Sequence, residues 1–129
     1  MTELNIEATS ATPQINLDKH LGRFELKGKS FPEESRSFYA PLFSWLEEYT
    51  LEPNEQTLFE FKMEYFNSSS SLIILEILNL LDLIHKKGKH VTISWNYLDI
   101  DEDMLEAGEE YADLVSLPFE YHPLTDDEF

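Results

Sequence analysis

A chain of 129 residues with 26 acidic and 9 basic side chains, a net charge of -17, is a poor ligand for nucleic-acid phosphates or an anionic membrane, since both need clustered lysine and arginine. Without cysteine it holds no disulfide framework, thiolate zinc site or cysteine nucleophile. At 42% hydrophobic it suits one domain with a real core and not two, so we expect a single domain over 1–125 and an acidic tail at 126–129.

Leu4-Asn5-Ile6-Glu7-Ala8 alternates apolar with polar and runs into Thr12-Pro13, the pattern of a short strand entering a turn. Ile15-Asn16-Leu17 and Leu21-Gly22-Arg23-Phe24-Glu25-Leu26 continue it around a connection at Asp18 to His20, which predicts a hairpin. Gly28-Lys29-Ser30-Phe31-Pro32-Glu33-Glu34 sets proline and acids where the first turn of a helix favours them. The core face of that helix is expected at Phe38, Leu42, Trp45, Leu46 and Tyr49. Pro41 lies inside the pattern and lacks an amide donor, which predicts a kink or division near Ser37.

From Thr57 to Tyr65 the period falls to two, with Phe59, Phe61, Met63 and Tyr65 on one face of a strand and Glu60, Lys62 and Glu64 on the other. Leu72 to Ile84 predicts a mostly buried helix with a narrow polar stripe at Glu76, Asn79 and Asp82, ended by Lys86-Lys87-Gly88. Val91, Ile93, Trp95 and Tyr97 alternate with Thr92, Ser94 and Asn96 in a further strand. Asp101 to Leu114 predicts an acidic helix with Met104, Tyr111 and Gly108 inward, followed by a last strand at Phe119-Glu120-Tyr121 and a solvated tail at Asp126-Asp127-Glu128. This order predicts an α/β fold, a mixed sheet of five or six strands with helices mainly on one face. Met1 to Asn5 lacks the features of an export signal, and the most apolar segment is interrupted by three polar residues. Neither a signal nor a membrane span is expected, and the expected compartment is the cytoplasm.

The run Tyr65-Phe66-Asn67-Ser68-Ser69-Ser70-Ser71 falls between strand and buried helix. Hydroxyls at a helix start either cap its free amides or carry a phosphate that the same amides and the helix dipole favour, and the residues alone leave both open. With that element order, the run resembles the STAS-type fold of anti-sigma factor antagonists, in which a serine at the equivalent place is the regulatory phosphosite.

A closer resemblance is to the SiaC family of bacterial regulatory phosphoproteins. Thr12-Pro13, Gly28-Lys29-Ser30-Phe31-Pro32-Glu33, Phe38-Tyr39 with Pro41-Leu42 and Trp45-Leu46, Tyr65 to Ser70, Trp95-Asn96-Tyr97, Asp101-Glu102-Asp103 and Gly108-Glu109 carry it in order over nearly the whole chain. The resemblance implies a non-enzymatic partner switch without a cofactor. A dedicated kinase phosphorylates the strand-to-helix turn, a PP2C-type phosphatase reverses it, and the unmodified form binds and activates a diguanylate cyclase. It places the phosphosite at Ser68, where the best-understood family pattern has threonine, and leaves Ser69 and Ser70 as alternates. Asn67, Ser68 and Ser69 are the implied partner-binding residues.

Two other chemistries are weighed against this reading. Asp99, Asp101, Asp103 and Glu110 resemble calcium-loop spacing and would serve a metal-dependent hydrolase, but Met104 stands where the loop's sharp turn calls for glycine, so no metal is expected. The excess of acid would equally suit a decoy that occupies a nucleic-acid-binding protein. The histidines at 20, 85, 90 and 122 show no paired ligand spacing, and four scattered glycines form no phosphate loop.

Overall fold

The computed structural model describes all residues from Met1 to Phe129. Strands β1 (Leu4–Ile6), β2 (Gln14–Asp18) and β3 (Arg23–Ser30) form an antiparallel meander. Helix α1 (Ser35–Tyr49), strand β4 (Gln56–Phe66), helix α2 (Ser68–Lys86), strand β5 (His90–Leu98), helix α3 (Glu102–Leu114) and strand β6 (Phe119–Leu124) follow. The six strands lie in chain order across one mixed sheet, and β3 to β6 run parallel. Right-handed crossovers taken three times in one direction place all three helices on the same face.

Burial follows from that arrangement. Thr57, Phe59, Phe61 and Met63 of β4 and Val91, Ile93, Trp95 and Tyr97 of β5 are buried toward the helices, in one cluster with Ile15, Leu17, Phe24 and Leu26. The intervening Leu58, Glu60, Lys62 and Thr92 remain partly or fully open on the other face. The hairpin turn is set by Asp18, whose carboxylate accepts the Leu21 amide at 3.1 Å, and by Gly22 at φ +68°, a left-handed conformation that suits glycine. That amide bond leads the interactions holding the Asp18 carboxyl below its usual range.

Five expectations need correction. Pro32, Glu33 and Glu34 precede α1 rather than opening it, and the helix passes Pro41 undivided, since Pro41 is exposed early in a helix anchored by Tyr39, Leu42, Trp45, Leu46 and Tyr49. Tyr39 is fully buried, while its neighbour Phe38 is half-buried. The β3–β4 register passes from Gly28↔Met63 to Lys29↔Tyr65, so Glu64 is an extra residue in β4. This bulge reverses the alternation and turns Tyr65 outward, 51% exposed, edge-on to Phe31 at 5.8 Å. Asp82, placed by its spacing on an open polar stripe, is buried because the Ser116 hydroxyl donates to it at 2.6 Å.

Helix α2 spans 19 residues and is, by length and composition, long and apolar enough to cross a membrane. Here Ile73, Ile74, Ile77, Leu78, Leu81 and Ile84 instead fill the core of the domain. At the other end of the chain, Asp126–Glu128 form one exposed 3₁₀ turn closed by a Thr125–Glu128 capping box.

Candidate functional site

The bulge determines what the end of β4 delivers. Beyond it Phe66 turns toward the helices, and Asn67 leaves the sheet at φ -85° and ψ 179° to cap α2. The Asn67 amide donates to the Ser30 carbonyl at 3.0 Å, fixing the exit from the sheet. Its side-chain Oδ1 accepts the Ser70 amide at 2.9 Å and the Ser69 hydroxyl at 3.1 Å. The cap is therefore the asparagine, and all four serines lie within the helix.

Those serines have four different surroundings. Ser70 is fully buried, its Oγ 2.7 Å from that of Ser30, which is 2.6 Å from the Tyr39 hydroxyl. Burial pushes the Tyr39 hydroxyl up to about 12 against the opposing Ser30 hydrogen bond, so this chain of hydroxyls is neutral at physiological pH. Ser71 donates to the Ser68 carbonyl at 2.6 Å, and its own carbonyl accepts the Tyr111 hydroxyl at 2.8 Å, tying α3 to the first turn of α2. Ser69 is exposed but engaged twice, by Asn67 and by the Ser35 hydroxyl at 2.8 Å. The hydroxyl of Ser68 is exposed and takes part in none of these bonds.

Of the sequence-derived candidates, Asn67, Ser68 and Ser69 thus share one surface, while Ser70 is closed off beneath it. Sequence reasoning missed Ser30, Ser35 and Tyr39, which meet the serine turn only through the pairing of β3 with β4 and the packing of α1 on α2. Nothing local in the chain marks such partners.

The electrostatics separate this turn from its neighbour. Neither α1 nor α2 carries an acid in its first turn, and Glu34 makes no side-chain cap at the start of α1. The Asp99–Glu110 acids have a different geometry from a cation-binding loop. Asp101 caps α3 by accepting the Met104 amide at 3.0 Å, with Glu102 and Asp103 in the first turn, and no three His, Asp or Glu side chains converge. Between the two helices a shallow groove of about 240 Å³ is lined by Phe66, Ser71, Leu72, Leu75, Tyr111 and Leu114, and Leu72 and Leu114 are each 64% exposed.

The fold and the turn together define a class: a single α/β domain whose helix layer presents a hydroxyl-rich first turn beside exposed apolar side chains. Residues 6–124 match the model of the SiaC family regulatory phosphoproteins, and the chain belongs to that family. An uncharacterised protein of Pseudomonas aeruginosa strain UCBPP-PA14 is 31% identical over 119 residues, 92% of this chain and 94% of that protein. The structure is similar to apo-SiaC of Pseudomonas aeruginosa, with a TM-score of 0.85 at 30% identity over 95% of this chain and 99% of that one. It is also similar to SiaC in complex with the diguanylate cyclase SiaD, which SiaC activates, with a TM-score of 0.87 at 30% identity over 94% of this chain and 99% of that one.

Proposed function

We propose that this protein is a non-enzymatic partner switch in which Ser68 is the phosphoacceptor and the unmodified form binds and activates a diguanylate cyclase. The observation that carries the reading is the contrast among the serines, because Ser68 alone presents an exposed hydroxyl free of the internal bonds that occupy Ser69, Ser70 and Ser71. A phosphate there adds roughly -1.5 to -2 charges and three acceptor oxygens next to amides that favour an anion. It need not disturb the core, since only the hydroxyl beneath it, that of Ser70, is built into the packing.

The groove between α2 and α3 begins at the same turn and supplies the apolar area for docking, with Leu72, Leu75 and Leu114 along it. A dianion at its mouth opposes an apolar or acidic partner surface by desolvation and repulsion. ATP and metal belong to the kinase, and a PP2C-type phosphatase resets the turn. The kinship with a protein that is crystallised as a cyclase activator supports the choice of effector.

The test compares the affinity of phosphorylated and unmodified protein for a purified SiaD-type cyclase from the same organism, with phosphosite mapping of protein isolated from its cells. We expect phosphate at Ser68, loss of the cyclase on phosphorylation, and retained binding with lost modification in Ser68→Ala. Equal affinities for the two forms would overturn the switch, and a phosphate confined to Ser69 would keep the switch while moving its residue.

A further inference from the structure

Arg36 lies in the first turn of α1, one residue from Ser35, whose hydroxyl meets that of Ser69 at 2.8 Å. Its guanidinium does not stay there. It runs along α2 and pairs with both carboxylate oxygens of Glu76, at 2.6 and 2.5 Å. Glu76 lies seven residues beyond Ser69, about 10 Å further along the helix axis. The Arg36 side chain is 71% exposed and that of Glu76 38%, so water surrounds the pair and little packing holds it. Glu76 nevertheless raises the affinity of Arg36 for its proton, first through the hydrogen bonds and then through charge.

The other cations are placed or engaged elsewhere. Lys86 pairs with Asp82, Lys89 with Glu55 and Arg23 with Glu25, and Lys19 donates to the Glu52 carbonyl. Lys27 and Lys62 are in register on β3 and β4, Lys29 is in register with the outward-facing Tyr65 and precedes the buried Ser30, and all three therefore face away from the helices, while Lys87 caps the far end of α2. Arg36 is therefore the cation that the helix layer offers at the serine end.

We infer that Arg36 is the internal receptor for a phosphate at Ser68, and that phosphorylation exchanges its Glu76 partner for the phosphate. This rests on the switch proposed above and supplies its regulation. A dianion with three acceptor oxygens is the stronger partner for a planar guanidinium than an exposed monoanionic carboxylate. Rotation of the Arg36 side chain carries the charge back toward its own backbone, beside Ser69. The exchange leaves Glu76 unpaired on the α1–α2 face, next to Phe43, Leu80 and Leu83. One modification then alters two patches, the serine turn and a carboxylate two turns along α2.

The experiment installs phosphoserine at position 68 during translation, so that no kinase is needed, and follows the phosphate by ³¹P NMR through its second ionisation. With Arg36 present we expect its proton affinity to be about threefold to tenfold weaker than in an otherwise identical Arg36→Gln protein, with Arg36→Lys between them. Glu76→Gln, which releases Arg36 in advance, should weaken it further. A titration that Arg36→Gln leaves unchanged overturns the inference. A response to Arg36→Gln with none to Glu76→Gln overturns the exchange. Cyclase affinity measured on the same phosphoserine protein separates this outcome from the switch: unchanged affinity with an Arg36-dependent titration refutes the switch alone, and lost affinity with an Arg36-independent titration refutes the receptor alone.

Discussion

Helices α2 and α3 leave neighbouring parallel strands in the same direction, yet their first turns carry opposite electrostatics. Each is capped by one side-chain oxygen on the third helical amide, Asn67 on Ser70 at 2.9 Å and Asp101 on Met104 at 3.0 Å. The geometry is the same and the charge is not. α3 adds Glu102 and Asp103 behind its aspartate, whereas α2 follows a neutral cap with four serines. Although the chain has 26 acidic residues, α2 starts without one in its first turn, as α1 does, and α3 alone of the three is acidic there. Carboxylates already meet the positive end of the α3 dipole, and a further anion there would meet repulsion. The first turn of α2 carries no such charge, so its dipole remains favourable to an added anion.

The comparison holds only if both first turns are firmly seated, and for α3 the seat is Gly108. A Cβ at that position would come within 2.6 Å of Cδ1 and Nε1 of Trp95, whose indole N–H donates to the Met104 carbonyl at 2.9 Å. Gly108→Val should therefore lift α3 from the sheet and cost about 2 to 3 kcal/mol or more in urea unfolding. A cost under about 1 kcal/mol would mean that α3 slides freely and that its cap geometry is incidental.

The two helices are also tied at their far ends, where Ser116 just beyond α3 donates to Asp82 of α2. Burial pushes the Asp82 carboxyl up, but the hydrogen bonds from Ser116 and Lys86 outweigh it and hold the group below its usual range. A carboxyl depressed on folding contributes stability that is present above its unfolded value and lost as pH falls through its folded one. Asp82→Asn should thus flatten the decline of stability below about pH 4 and cost about 1 kcal/mol at neutral pH through the weakened bonds. An acid limb of the same slope in both proteins would remove Asp82 as the tie.

What was legible in the sequence was whatever a single element determines. The alternation of β4 gives the buried face correctly as far as Met63, and fails at Tyr65 because a bulge exists only relative to the partner strand β3. The helical spacing of α1 finds four of its five buried residues but takes Phe38 for Tyr39. The choice between adjacent aromatics was made by Ser30, which offers a buried hydroxyl to Tyr39. The serine turn was visible as a helix start. Its division into a cap, a packing group and an exposed hydroxyl was not, because Ser30, Ser35 and Tyr111 come from three other elements.

The smallest expected effect tests the comparison most directly, by exchanging the charge of the two first turns without touching either cap. Ser68→Asp adds one carboxylate to the neutral turn of α2 at an exposed position, and Glu102→Gln removes one from the acidic turn of α3. At low ionic strength Ser68→Asp should stabilise the protein by about 0.3 to 1 kcal/mol, and Glu102→Gln should lower stability by a similar order. The net charge of -17 works against the first change and in favour of the second, since each added negative charge is repelled by the rest of the surface. The local dipole should still decide the sign, because the helix amides lie against the new group while the other carboxylates act on it from further off and through water of high dielectric constant. Thermal unfolding of both variants at about 0.02 M and 0.5 M salt reads the difference, and the two effects should shrink together at the higher concentration. If Ser68→Asp destabilises at both concentrations, the α2 turn does not welcome an anion, and its neutrality would then reflect the overall repulsion in an acidic protein rather than a site for phosphate.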